Sequence, residues 1–427
     1  MHSAGFVQNA CMDAFGVILN QSCDGSDWFA STKELQLASL QFCAACRNVA
    51  TVTLRVDDAV PRSLLAAADV PAPERKRLCT TRVPRLRARR VVWDLPTAVE
   101  LRRPTYALAD ATHLRFGCDF CDTLEDVKWP RRLCAIKIDG NLPSIRRLTE
   151  GVAWPPSLQQ ISFGDSFNQS LWKVALPKCL RQITFGVQFN QSIKEVVWPT
   201  SLQQLTFGEQ FDRPIEGVVW PTSLQRLTFG DWSNQPVKGV KWPMALQQLT
   251  FEGFFNQPIK GVKWPTSLQQ LTFGYYFNQP IDQVAWPKSL KQLSFGRKFN
   301  QPVEGVIWPT SLEQLGFGST HRESSPAEAV YMEADFTQAI GRAQWPVSLR
   351  RFTLGGEFPC PCAELGAWMP NLEELTLLLG DPSSYGRLLR GVEWPESLRK
   401  LTMFDDAGLH EVVIPREVQV VRHARLT

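Results

Sequence analysis

The chain has 427 residues, 44% of them hydrophobic and 21% charged, with a formal net charge of +4. So small an excess of base gives no electrostatic argument for nucleic acid or an anionic membrane as the main partner. No run of about 18 apolar residues is present to span a bilayer, and Met1 to Ala30 lacks a basic start followed by an apolar core.

The cysteines point the same way. Eleven are present, odd in number and unevenly spread, so they form no repeating disulfide framework of the secreted kind. Reduced thiols and an intracellular address, cytoplasmic or nuclear, are expected. Cys43-Ala-Ala-Cys46 and Cys118-Asp-Phe-Cys121 have the spacing of zinc ligands. The repeat described below already accounts for Cys118 and Cys121, however, and neither a metal nor a cofactor is expected.

Residues 1–110 form a region of mixed texture. Lys33 to Arg47 carries Leu35, Leu37, Leu40, Phe42 and Cys43 in a pattern compatible with an amphipathic helix, and Ala50 to Val56 alternates like a strand. Val60-Pro61-Arg62-Ser63-Leu64 suggests a degenerate repeat. Arg75, Lys76, Arg77, Arg82, Arg85, Arg87, Arg89 and Arg90 make a basic cluster, read as a solvated face. The stretch Leu37 to Arg47 resembles the closing helix of an F-box, the motif that docks repeat proteins onto ubiquitin ligase scaffolds, although the Leu-Pro start of that motif is absent. That resemblance implies an alternative role as a substrate receptor of such a ligase.

From residue 111 to 427 the sequence is periodic. Leu114 to Pro130 is one complete unit. Trp154, Leu176, Trp198, Trp220, Trp242, Trp264, Trp286 and Trp308 then follow at 22-residue intervals, each with proline after it. A period of this size marks a solenoid, whose units cannot bury their apolar faces alone and must stack. Within a unit, Ile259-x-x-Val262-x-Trp264 and Leu268-x-x-Leu271-x-Phe273 both end in alternation, which predicts two short strands per coil facing a shared interior. Pro265 would release the chain from the first strand and Gly274 would permit a turn after the second. The expected fold is a β-rich solenoid with coils of about 22 residues and two parallel sheets.

One polar row accompanies the apolar ones: Asn168, Asn190, Asn234, Asn256, Asn278 and Asn300, with Asp212 once in their place. It is expected to bond backbone groups at a corner and link each coil to the next. The tryptophan row is expected in the core, each indole N–H on a corner carbonyl. Between Trp308 and Trp345 the spacing grows to one period plus an insertion, placed at about 319–338. Anchors continue as Trp345, Met369, Trp394 and Ile414.

Two residues after each glycine vary while the rest repeats: Asp165-Ser166, Val187-Gln188, Glu209-Gln210, Asp231-Trp232, Tyr275-Tyr276 and Arg297-Lys298. Variation inside a fixed repeat implies exposure, and aromatic and basic side chains are the kinds that anchor interfaces. Trp232, Phe254, Tyr275, Tyr276, Arg297 and Lys298 are therefore the candidate protein-binding residues. His321 and the acids near it come without a nucleophile, phosphate cradle or oxyanion arrangement, so no catalytic residue is assigned.

Phe255-Asn256-Gln257-Pro258, Phe277-Asn278-Gln279-Pro280 and Phe299-Asn300-Gln301-Pro302, set in Trp-Pro-x-Ser-Leu-x-x-Leu-x-Phe-Gly, resemble FNIP repeats, a branch of the leucine-rich repeats. The match is specific from Leu124 to Phe317 and looser beyond. The resemblance implies a leucine-rich-repeat-like solenoid used as a non-catalytic scaffold for protein partners.

Overall fold

The computed structural model describes residues 111–117, 124, 127–139, 152–318, 335–356, 364–379, 383–403 and 412–422, and the backbone of strands at 51–55 and 90–95. The chain divides into two compact units, Met1–Gly164 with Val174–Leu180, and Asp165–Lys173 with Arg181–Thr427. In the first, β1 (Thr51–Arg55), β2 (Arg90–Leu95), β3 (His113–Phe116), β4 (Ala135–Ile138) and β5 (Gln160–Phe163) pair in sequence order, all parallel. The expected strand after Ala50 is thus present as β1. The helix expected over 33–47, Cys43, Cys46, Cys118, Cys121 and the basic cluster from Arg75 to Arg89 lie outside the described residues.

The second unit repeats one arrangement eleven times: β6 (Gln182–Thr184), β7 (Gln204–Thr206), β8 (Arg226–Phe229), β9 (Gln248–Phe251), β10 (Gln270–Thr272), β11 (Gln292–Phe295), β12 (Gln314–Phe317), β13 (Arg351–Gly355), β14 (Glu374–Leu378), β15 (Lys400–Met403) and β16 (Gln419–Arg422). Each pairs in parallel with the next, and through the regular coils every residue opposes its own equivalent, Gln270 with Gln292 and Leu271 with Leu293. Two short helices, α1 (Leu365–Trp368) and α2 (Ser383–Leu388), interrupt the later coils. No helix among the described residues is long and apolar enough to cross a membrane.

One strand per coil is found among the described residues, not the two expected. The Val-x-Trp segment alternates as a strand does, but it is hemmed in by turns. Val262 N–H donates to Ile259 O at 3.2 Å before it and Leu268 N–H to Pro265 O at 3.1 Å after it. Two closed i to i+3 turns leave too few extended residues between them for a ladder. A third turn, Phe277 N–H to Gly274 O at 3.3 Å, follows the strand. A coil is therefore one strand and three turns.

The apolar positions are buried as expected: Ile259, Val262, Trp264, Leu268, Leu271, Phe273 and Phe277 all belong to the core, and their equivalents do so coil after coil. The second phenylalanines stack through the unit, Phe189 on Phe211, Phe255 on Phe277, Phe277 on Phe299 and Phe299 on Phe336, each pair about 6.1 Å apart. Ser233 takes the place of one ring and is buried there. On the strands, the intervening Gln and Thr face outward. Farther along, the outer face carries opposite charges on adjacent coils, Lys291 with Glu313 at 3.2 Å, Arg351 with Glu374 at 3.3 Å, and Arg350 with Glu373.

Polar rows bind coil to coil. Asn278 Oδ1 accepts the backbone N–H of Asn300 and the Nε2 of Gln301, both at 2.9 Å, and the same pair of bonds recurs along the row. Asp212 fits without disturbance, because the row uses an oxygen acceptor and Asp212 Oδ1 takes Asn234 N–H at 3.0 Å and Gln235 Nε2 at 2.7 Å. A serine row, unremarked in the sequence, donates backwards: Ser267 Oγ to Leu246 O and Ser289 Oγ to Leu268 O, with Cys179 Sγ reaching Leu158 O in the same manner.

The tryptophan row departs from expectation in one respect. The indoles are in the core, but Nε1 of Trp198, Trp220, Trp242, Trp264, Trp286 and Trp308 is buried with no hydrogen-bond partner. Trp154 and Trp394 do bond to a carbonyl, Ala175 O at 3.1 Å and Val413 O at 2.8 Å. In both cases the next anchor is aliphatic, Leu176 or Ile414. Where the next anchor is another indole, as for Trp242 stacked on Trp264 at 6.3 Å, the bond is absent. Five of these rings, from Trp220 to Trp308, instead meet phenylalanine within the same coil, for example Trp220 with Phe229, edge to face at 6.4 Å.

The glycine after the strand also has a different reason from the one expected. A Cβ on Gly274 would stand 2.3 Å from the carbonyl carbon of Glu252, and one on Gly208 would stand 1.8 Å from Gly186 O. Close approach between coils, not a special dihedral, excludes a side chain there.

Candidate protein-contact surface

The turn that follows each strand is itself laddered. Trp232 N–H donates to Glu209 O at 2.8 Å, Phe254 to Asp231 O at 2.6 Å, Tyr276 to Gly253 O at 2.9 Å and Lys298 to Tyr275 O at 2.8 Å. These bonds place Trp232, Phe254, Tyr276 and Lys298 at one position in successive coils, with Asp231, Gly253, Tyr275 and Arg297 in the column beside them. All six residues singled out from the sequence therefore come together on one corner.

Their side chains face outward. Trp232 is 54% exposed, Phe254 46% and Tyr276 41%, whereas the stacked phenylalanines of the same coils, such as Phe255 and Phe277, are buried. Phe254 and Tyr276 stack face to face at 4.6 Å, and Tyr275 leans against Tyr276 at the same separation with its ring tilted by 58°. The Arg297 guanidinium lies 5.5 Å from the Tyr275 ring centre, within cation–π range. Lys298 Nζ is 2.9 Å from Asp335 Oδ2. That hydrogen bond and charge hold the Lys298 pKa above its ordinary value of 10.5.

Asp335 was not foreseen as part of this corner. It stands 37 positions past Lys298, beyond an excursion whose residues 319–334 lie outside the described ones. Its own N–H continues the ladder to Arg297 O at 3.0 Å. Directly after it, Phe336 is buried on Phe317, and Thr337 N–H and Gln338 Nε2 bond to Asn300 Oδ1. The Phe-Asn-Gln rung is thus resumed at Phe336, earlier than the 319–338 insertion expected from the anchor spacing. Between Asp231 and Tyr275 the inner column has no side chain at all. Glu252 occupies the usual glycine place, and the glycine moves one residue on, to Gly253 at φ +39, where a Cβ would lie 2.4 Å from Asp231 O.

Chemically the corner offers flat rings, hydroxyl and indole donors and a charge at each end, which suits noncovalent recognition. Among the described residues no three His, Cys, Asp or Glu side chains gather as a metal site would require.

A parallel solenoid with one short strand per coil, an apolar interior and laddered corners is a repeat solenoid of leucine-rich-repeat type. The FNIP Repeat model matches residues 149–188, 189–231, 255–298 and 277–320, so the chain carries FNIP repeats over these stretches. It is similar to CroV588, a circular leucine-rich-repeat protein, with 32% identity and a TM-score of 0.54 over 74% of this chain and 46% of that one. It also shares its fold with TLR13, solved in complex with ssRNA13, at 14% identity and a TM-score of 0.52, over 85% of this chain and 55% of the other. The chain thus spans about half the length of each of these two proteins. No curated protein matches it.

Proposed function

We propose that this protein is a non-catalytic scaffold that captures a protein partner on the corner formed by Trp232, Phe254, Tyr275, Tyr276, Arg297 and Lys298. The observation that carries this reading is the exposure of three large aromatic side chains in a row on a backbone held by hydrogen bonds. Such a row costs solvent-exposed apolar area when bare, and it is pre-ordered, so a partner loses little entropy in meeting it. The intracellular setting expected from the cysteines belongs to the same proposal; Cys134 and Cys179 are thiols that donate to backbone carbonyls. The alternative role as a ubiquitin-ligase substrate receptor rests on residues 37–47, outside the described residues.

A photo-crosslinking amino acid placed at Phe254 tests the proposal directly in cells. Expected is a discrete protein adduct at Phe254 that is absent when the same group replaces Trp172, an exposed aromatic residue elsewhere on the solenoid. Adducts of the same pattern from both positions, or none from Phe254, would remove the corner as a contact surface.

A further inference from the structure

We infer that the segment this corner recognises is a proline-rich stretch of the partner in polyproline II conformation. The inference rests on the corner being a protein-binding surface and adds the identity of what binds it.

The first argument is spacing. Backbone hydrogen bonds of 2.6–2.9 Å run along this turn, so its coils keep the spacing of neighbouring strands, about 4.8 Å. The stacked rings of Phe254 and Tyr276, 4.6 Å apart, agree. Trp232 and Tyr276, two coils apart, are then separated by about 9.6 Å. A polyproline II helix rises about 3.1 Å per residue with three residues per turn, so one of its edges recurs about every 9.3 Å. The mismatch is about 0.3 Å per pair of coils. A β-strand repeats a face about every 6.7 Å, which matches neither one coil nor two. Two turns of an α-helix advance about 10.8 Å and fall out of step by about 1.2 Å over the same distance.

The second argument is chemistry. A polyproline II segment has no internal hydrogen bonds, so its carbonyls are available, and its prolyl rings pack on flat aromatic faces. The corner supplies both kinds of partner. The indole N–H of Trp232 and the hydroxyls of Tyr275 and Tyr276 have no hydrogen-bond partner among the described residues, while their rings and that of Phe254 form the apolar bed. Charge then orients the ligand: Glu209 and Asp231 lie at one end of the row and Arg297 at the other, where Asp335 offsets the charge of Lys298, so a basic flank on one side and an acidic flank on the other complement it.

Fluorescence anisotropy with the full chain tests this, using a labelled nonaproline flanked by two arginines at one end and two glutamates at the other. The comparison is a peptide of equal length and charge with alternating glycine and serine in place of proline. Expected is binding of the proline peptide at least about tenfold tighter than the flexible one. Trp232→Ala and Tyr276→Ala should each weaken it by about tenfold, as truncation of an interface aromatic does. Tyr276→Phe, which keeps the ring and loses the donor, should weaken it by about threefold. Trp172→Ala should leave it within about twofold. Thermal unfolding confirms that each variant is folded.

Absence of binding, equal affinity for the two peptides, or indifference to Trp232→Ala and Tyr276→Ala would overturn the inference. Should that happen while the photo-crosslinker at Phe254 still gives its adduct, the corner remains a contact surface for a partner of another shape. Loss of the adduct as well would remove both readings.

Discussion

Tyr275-Tyr276 and Phe277-Asn278 are neighbours in one turn, yet they obey opposite rules. Both pairs are tied to adjacent coils through the backbone, Tyr276 N–H to Gly253 O and Asn278 N–H to Asn256 Oδ1. The difference lies in where the side chains go. Phe277 stacks on the same residue of the coils on either side, and Asn278 Oδ1 accepts two bonds from the next coil, so each is specified by copies of itself. Tyr275 and Tyr276 point away, and their equivalents are Val187-Gln188 or Arg297-Lys298. Repetition of the coil fixes whatever touches another coil and leaves the rest to be set by something outside it.

The sharpest way to break this contrast is to truncate both sides of it. Phe277→Ala should destabilise the protein by about 3–5 kcal/mol, because a fully buried ring leaves a cavity between two others. Tyr276→Ala, one residue away, should change stability by no more than about 0.5 kcal/mol. Denaturant midpoints compared at matched conditions would show this, since a repeat array need not unfold as a single step. A large loss from Tyr276→Ala would mean that the exposed column also holds the coils together.

Next in size is Gly274→Ala, expected to cost on the order of 3 kcal/mol, since its Cβ would have to push back the backbone of the preceding coil. The same substitution at Gly117, where a Cβ meets nothing within 4 Å, should be nearly neutral. Equal melting temperatures for the two variants would remove close approach as the reason for the glycine.

Asn278→Ala should cost about 1–3 kcal/mol, because the N–H of Asn300 and the Nε2 of Gln301 lose their acceptor. Asn278→Asp should cost little at neutral pH, on the precedent of Asp212 in the same row. If Asp proved as damaging as Ala, the amide donors rather than the oxygen would be what the row requires.

Most of this was legible in the sequence for one reason: a residue that contacts its own copy must recur. The seven buried positions of each coil and the Asn row all meet that condition and could be read off. The number of strands could not. Val262-x-Trp264 alternates as Leu271-x-Phe273 does, but whether an alternating triplet joins a ladder depends on the turns closing around it, Ile259 to Val262 and Pro265 to Leu268, and turn closure leaves no periodic mark of its own. The indole N–H bonds failed for a similar reason. Whether Trp154 or Trp242 reaches a carbonyl is decided by the anchor one coil later, Leu176 or Trp264, a relation visible only once the coils are stacked. In the candidate surface, the six residues were found through their variability. Asp335 was not, because an insertion separates it from the coil it rejoins.

Lys298 and Asp335 provide the gentlest test of the contrast, since their bond lies on the exposed side of it. Asp335 raises the Lys298 pKa through a hydrogen bond and its charge. A lysine pKa raised on folding stabilises the folded form fully below the unfolded value of 10.5 and loses that contribution as pH climbs through the raised value. Neutral or mildly acidic conditions should therefore leave the lysine side of the pair intact. Wild type and Lys298→Met should differ slightly in melting temperature at pH 7, and the gap should close in strongly alkaline buffer or in about 1 M salt, where screening acts within about 3 Å. The ion pair is exposed, so the difference at pH 7 should be the smallest of those considered. A gap that survives both treatments would show Lys298 acting through its aliphatic stem, packed in the corner as the buried rows are packed in the core, and the boundary between the two rules would then lie one residue farther out than the exposed column.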